Sequence, residues 1–124
     1  MYNICDFFRL SDNIDMECFT FDKFGADAIK AIKLSPDSFI QIAMQVTFYN
    51  LQKKALAHYE SATLRRFINA RTECIRSTSI ESVEFAKIML SGKCKSKQQK
   101  KEMMIRAINT HKEYAAQVRY IYLL

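Results

Sequence analysis

Ser35-Pro36-Asp37 is the strongest folding signal in this chain. Serine as N-cap, proline at the first helical position and aspartate in the first turn together start a helix. The spacing predicts that helix over residues 36–54. Phe39, Ile42, Ala43 and Val46 fall on one side of it, while Ile40, Met44, Phe48 and Leu51 fall on others. A helix apolar on nearly every side belongs inside a large protein and suits the surface of a small one poorly.

The rest of the chain is read around that helix. With 124 residues, 49% of them hydrophobic, the length fits one ordinary domain or a piece of a larger one. Two glycines and one proline leave few sharp turns, which favours helices with short connections. Residues 1–13 are expected to finish a helix. Residues 16–21 (Met-Glu-Cys-Phe-Thr-Phe) have strand-forming side chains, but a strand this short needs a partner, and no later segment offers a convincing long one. Residues 24–37 read as a connection that includes Lys30 and Lys33. Thr78-Ser79-Ile80-Glu81 reads as a capping box opening a helix to Leu90, stopped by Ser91-Gly92. Ser96-Lys97-Gln98-Gln99 repeats the pattern. Met104, Ala107, Ile108, His111, Tyr114, Ala115, Val118 and Ile121 then form one apolar stripe at helical spacing. No repeat or linker divides the chain, so residues 1–124 are taken as one unit.

Several function classes find no support. Cys5, Cys18, Cys74 and Cys94 are widely spaced, and His58 and His111 complete no zinc pattern, so no metal is expected. The N-terminus lacks a basic start followed by an apolar run, and Leu123-Leu124 is not a peroxisomal ending. No stretch is long and uncharged enough to span a membrane. The net charge of +6 suits an anionic ligand, or equally a piece whose charge is balanced elsewhere. Residues 93–101 hold five lysines without aromatic or glycine interleaving, which reads as a solvated loop and first helical turn and not as a nucleic-acid surface.

Residues 59–79 carry the chemistry. Tyr59, Ser61, Thr63, Thr72, Ser77, Thr78 and Ser79 supply hydroxyls, with Arg65, Arg66, Arg71, Arg76, Glu60 and Glu73 threaded between them. Hydroxyls donate to a carboxylate without carrying charge, and arginines fork onto anions or lock loops. The plainest account is a polar connection between two helices. Order and spacing say more. Tyr59-Glu60-Ser61-Ala62-Thr63-Leu64-Arg65, followed by Ala70-Arg71-Thr72-Glu73-Cys74-Ile75-Arg76-Ser77, resembles the paired motifs of the choline/carnitine acyltransferase family. A second matching block lies at residues 21–41, so the resemblance runs from about residue 16 to residue 114.

The resemblance implies an α/β fold, of which this chain is a partial C-terminal acyltransferase domain, predominantly helical with one or a few short strands. It implies reversible transfer of a short acyl group between coenzyme A and carnitine, in a mitochondrial or peroxisomal enzyme. Tyr59, Ser61 and Thr72 would contact carnitine, and Thr72 favours carnitine over choline because choline-using relatives lack that hydroxyl. Lys30 and Ser35-Pro36-Asp37 would line the coenzyme A site, where Lys30 matches the second of two family lysines and the first falls on Ala26. Lys112 matches an arginine near the coenzyme. On its own residues, Asp37 opposes an anion at this helix start. Glu60, Arg71, Arg76 and Ser77 are expected to brace loops, and Ala70 to strain a turn if its φ is positive. The family's catalytic histidine has no counterpart here, and His58 and His111 read as structural. No catalytic residue is assigned, so the chain alone is expected to be inactive without the remainder of an acyltransferase. The alternative is a stand-alone, non-catalytic binding or interaction module.

Overall fold

A computed structural model describes residues 11–91 and 96–120, in which four helices pack together and the last of them also carries a two-stranded sheet. Helix α1 spans Ala26–Ala31 and α2 spans Pro36–Gln52. Strands β1 (Tyr59–Thr63) and β2 (Thr72–Arg76) follow, then α3 (Ile80–Leu90) and α4 (Lys97–Tyr120). The helix starting at Pro36 forms as its N-terminal residues require: Ser35 is extended at the N-cap, and its hydroxyl accepts from the Ser38 N–H at 3.3 Å. It ends at Lys53, whose φ of 55° lies in the left-handed region.

Two cores organise the molecule along α4. In the first, Ile29, Leu34, Ile42, Phe85, Ala107 and Ile108 join the four helices. In the second, Ala62 and Ile75 of the hairpin pack on Ala115 and Val118. Helix α4, about 36 Å long at 1.5 Å per residue, serves both through the stripe the spacing predicts, with Ala107, Ile108, His111, Ala115 and Val118 buried. Its start is a reciprocal capping box: Ser96 Oγ accepts from the Gln99 N–H, and Gln99 Oε1 accepts from the Ser96 N–H, each at 3.2 Å.

Four local expectations are corrected. Residues 16–21 are not a strand; they are exposed, and among the described residues no edge completes a ladder with them. Within the expected connection 24–37, Ala26–Ala31 folds into a short helix that buries Ile29. The box at residue 78 is shifted by one. Ser79 is the N-cap and exchanges hydrogen bonds with Ser82 at 3.1 Å each way, whereas Thr78 donates to the Leu56 carbonyl at 2.9 Å. Ala70 needs no positive φ, since Asn69, a residue tolerant of the left-handed region, takes it at 62°. Of the helix expected to finish over residues 1–13, residues 11–12 are helical and residue 13 turns; residues 1–10, residues 92–95 with their part of the stop and lysines, and Ile121 lie outside the described residues.

Glu81 is released from capping and bonds Arg106 of α4 at 3.2 Å. A hydrogen bond from the backbone, helped by Arg106 and Ser79, holds its carboxyl below the ordinary 4.5. A depressed carboxylate stabilises the fold above its unfolded value, and that contribution disappears as the pH falls through the folded value. Arg106 is largely exposed, so the pair is worth at most about 1 kcal/mol. Glu81→Gln is therefore expected to lower the melting temperature slightly at neutral pH, with the gap closing as the pH falls below 4.5. A gap independent of pH in thermal melts would assign the loss to packing instead.

Candidate functional site

The hairpin explains where the hydroxyls go. Its antiparallel register pairs Tyr59 with Arg76, Ser61 with Cys74 and Thr63 with Thr72. Alternation along each strand then places these six residues on one face and Glu60, Ala62, Glu73 and Ile75 on the other. The inner face packs on α4, with Ala62 and Ile75 each 1% exposed. On the outer face Tyr59 (66% exposed), Ser61, Thr63, Thr72 and Arg76 are open to solvent, and Cys74 is half-buried. Three residues singled out in the sequence, Tyr59, Ser61 and Thr72, thus share one surface. That surface offers hydroxyl donors and one guanidinium, a combination suited to a small ligand bearing a carboxylate.

Anchors at both ends hold the hairpin. At its open end Ser77, 3% exposed, is the hub: its N–H donates to the His58 carbonyl at 3.1 Å. His58 Nδ1 lies 2.6 Å from the Ser77 hydroxyl, and Gln45 Nε2 donates to the Ser77 carbonyl at 3.0 Å. At the turn, Arg66 donates to the Arg119 carbonyl at 2.7 Å and lies over the rings of Phe67 and Tyr120. Ser77 and Glu60 brace the structure as their motif suggests. Arg71 and Arg76 do not: the register turns Arg76 outward, and both are exposed with no side-chain partner among the described residues.

The residues assigned to coenzyme A lie on other elements. Lys30, in α1, is exposed 3.6 Å from the Asp27 carboxylate. Ser35 caps α2, Pro36 opens it and Asp37 sits exposed in its first turn. Lys112 is exposed on α4, directly after the buried His111. No hydrogen bond or ion pair links these groups with one another or with the hairpin face among the described residues.

Two features escape sequence reading. His111 Nε2 lies 3.0 Å from Glu60 Oε1 beneath the hairpin, with side-chain exposures of 1% and 12%. The signal for this pair was the parity of Glu60 with Ala62 set beside a polar residue in an apolar stripe. The second is a largely apolar cleft of about 280 Å³ among Met44, Phe48, Leu56, His58, Ser82 and Val83. Among the described residues no group of three or more His, Cys, Asp or Glu could hold a metal ion, and no helix is long and apolar enough to cross a membrane.

Residues 5–119 match the family model for choline/carnitine O-acyltransferase. Carnitine O-acetyltransferase of Columba livia is 45% identical over 103 residues, covering 83% of this chain and 16% of that protein. The Mus musculus carnitine O-acetyltransferase is 44% identical over 82% of this chain and 16% of its own length. Choline O-acetyltransferase of Danio rerio is 38% identical over 86% of this chain and 17% of its own length. The chain thus spans about one sixth of the length of the curated relatives it matches. With paired motifs, hydroxyl-bearing hairpin and a match over nearly its whole length, the chain belongs to the choline/carnitine O-acyltransferase family.

Proposed function

We propose that this chain is part of a C-terminal acyltransferase domain that moves a short acyl group between coenzyme A and carnitine, and that it supplies a wall for each substrate. The observation that carries this reading is the register of the hairpin, which turns Tyr59, Ser61 and Thr72 to one open face. The Tyr59 and Thr72 hydroxyls donate to the carnitine carboxylate, and Ser61 lies between them along the same surface. Thr72 favours carnitine over choline, because only carnitine brings a carboxylate for that hydroxyl to hold. Arg76, outward and opposite Tyr59, adds a cation to the same face.

Lys30, the Ser35-Pro36-Asp37 turn and Lys112 form the coenzyme A wall. Lys30 and Lys112 bring positive charge, and the start of α2 brings backbone N–H groups. Ala26 brings no charge, and Asp27 and Asp37 offset part of what the lysines supply. Coenzyme A binding by this chain is accordingly weak and salt-sensitive. The chain contributes no base: His58 is engaged by Ser77, and His111 lies under the hairpin against Glu60. Acyl transfer needs a group that takes the proton from the carnitine hydroxyl or the thiol, and the remainder of an acyltransferase supplies it. The chain alone is inactive. The parent enzyme acts in mitochondria or peroxisomes, a reading supported by the resemblance to carnitine O-acetyltransferases.

The test is titration of the chain with L-carnitine, followed by backbone amide shifts. Tyr59, Ser61 and Thr72 are expected to move together. Thr72→Val, which keeps the shape and removes one donor, is expected to weaken binding about tenfold, the equivalent of one hydrogen bond to a charged group. Equal shifts with choline, or none at the hairpin, would sink the carnitine assignment. A second reading, a non-catalytic interaction module, draws on Ile40, Met44, Phe48 and Leu51, which are 40–71% exposed along α2. A chain that is monomeric and folded yet blind to carnitine and coenzyme A would favour it.

A further inference from the structure

We propose that His111 is a positioning residue for the hairpin: from α4 it holds the Glu60 carboxylate, and through Glu60 it fixes the β1 register that turns Tyr59 and Ser61 outward. The importance of that register for substrate rests on the reading of the hairpin face given above; the positioning itself does not.

Few side chains within β1 itself specify its placement. Only two of its side chains point inward, Glu60 and Ala62. Alanine offers a single methyl group, a weak discriminator between registers. A slip of one residue would exchange the two faces, burying Tyr59, Ser61 and Thr63 and exposing Ala62. The partner strand does better, with Ile75 fully buried, but Ile75 fixes β2 and not β1. Glu60 is the remaining inward group within the strand, and Leu64, of the same parity just past its end and 1% exposed, is the other fixed point.

His111 is placed to read it. The imidazole is 2% exposed on the α4 stripe, between Ile108 of one core and Ala115 of the other. Its Nε2 lies 3.0 Å from Glu60 Oε1. The contact is close but off the hydrogen-bond axis, and among the described residues neither imidazole nitrogen of His111 and neither carboxylate oxygen of Glu60 has a hydrogen-bond partner. The two side chains are therefore each other's main polar company in an apolar setting. A slip of β1 by one residue would set a hydroxyl-bearing side chain against the imidazole in place of the carboxylate, and a slip by two that brings Ala62 there would leave the imidazole facing a methyl group, which costs more than the lost contact alone. The native register is the one that sets a carboxylate against the buried imidazole.

The experiment compares amide hydrogen exchange and L-carnitine titration for the full chain, His111→Leu, His111→Gln and Glu60→Leu. The Gln side chain keeps an N–H donor near the place of Nε2; the Leu side chains remove one partner each. His111→Leu and Glu60→Leu are expected to speed exchange of the cross-strand hairpin amides by at least about tenfold, with α2 and α3 still protected. His111→Gln should restore most of that protection. The wild type should also show a slowly exchanging His111 Nε2–H signal in imidazole spectra, absent in Glu60→Leu. Unchanged hairpin exchange in His111→Leu, no rescue by Gln, or helices that lose protection in step with the hairpin would each overturn the proposal. Equal carnitine shifts in wild type and His111→Leu would overturn its link to the site. If the exchange results hold while carnitine moves no wild-type signal, the substrate reading fails and the positioning role stands.

Discussion

Ile108→Ala is expected to destabilise the chain by about 2–5 kcal/mol, the range for emptying a closed core site of its large aliphatic side chain. Ile108 has no exposed surface and lies where α4 meets Ile29, Leu34, Ile42 and Phe85. Those neighbours belong to three different helices and the connection between α1 and α2, so collapse into the cavity would require several elements to move together. Ile68 supplies the control. It is 93% exposed in the hairpin connection, and Ile68→Ala should change stability by no more than about 0.5 kcal/mol. Denaturant melts of the two variants test the contrast. A small loss at Ile108 would mean that the helical core closes over the gap, and the junction would then be loosely packed.

Legibility in the sequence followed the range of the interaction. Ser35-Pro36-Asp37, the Ser96–Gln99 box and the stripe from Met104 to Val118 each act within a turn or two of helix, and each is realised. The hairpin was harder. Its strands carry only Ala62 and Ile75 as fully buried apolar residues, so a period of two is hidden among hydroxyls and charges. Residues 16–21 show the converse error, since aromatic and β-branched side chains make a strand only when an edge is available. Tyr59 and Ser61 share a face by parity, which the sequence shows. That Thr72 joins them depends on the connection between the strands, where Leu64 N–H donates to the Arg71 carbonyl at 3.0 Å and Asn69 takes the left-handed conformation. The Glu60–His111 pair links segments that no local pattern brings together.

The division into two cores sets up the second large effect. Ile75→Ala is expected to melt the hairpin while leaving the helices folded. Ile75 is 1% exposed and packs with Ala62, Ala115 and Val118, the buried cluster between sheet and helix among the described residues, with Tyr114 beside it. Its truncation forfeits about 2–5 kcal/mol. A two-stranded sheet is marginal at best without a packed face, so a loss of that size exceeds what the hairpin can absorb. The helical core keeps Ile42, Phe85 and Ile108, none of which lies in the cluster around Ile75. Amide exchange should therefore show residues 59–63 and 72–76 exposed, with α2 and α3 protected. L-Carnitine should lose its hairpin shifts entirely, a larger change than Thr72→Val produces by deleting one donor. Comparison of the two variants separates contact from architecture: Thr72→Val weakens binding on an intact surface, whereas Ile75→Ala removes the surface. If Ile75→Ala instead unfolds the helices with the hairpin, the two cores form one cooperative unit through α4. His111, which sits between them, would then be a structural joint of the whole chain and not a local guide for β1.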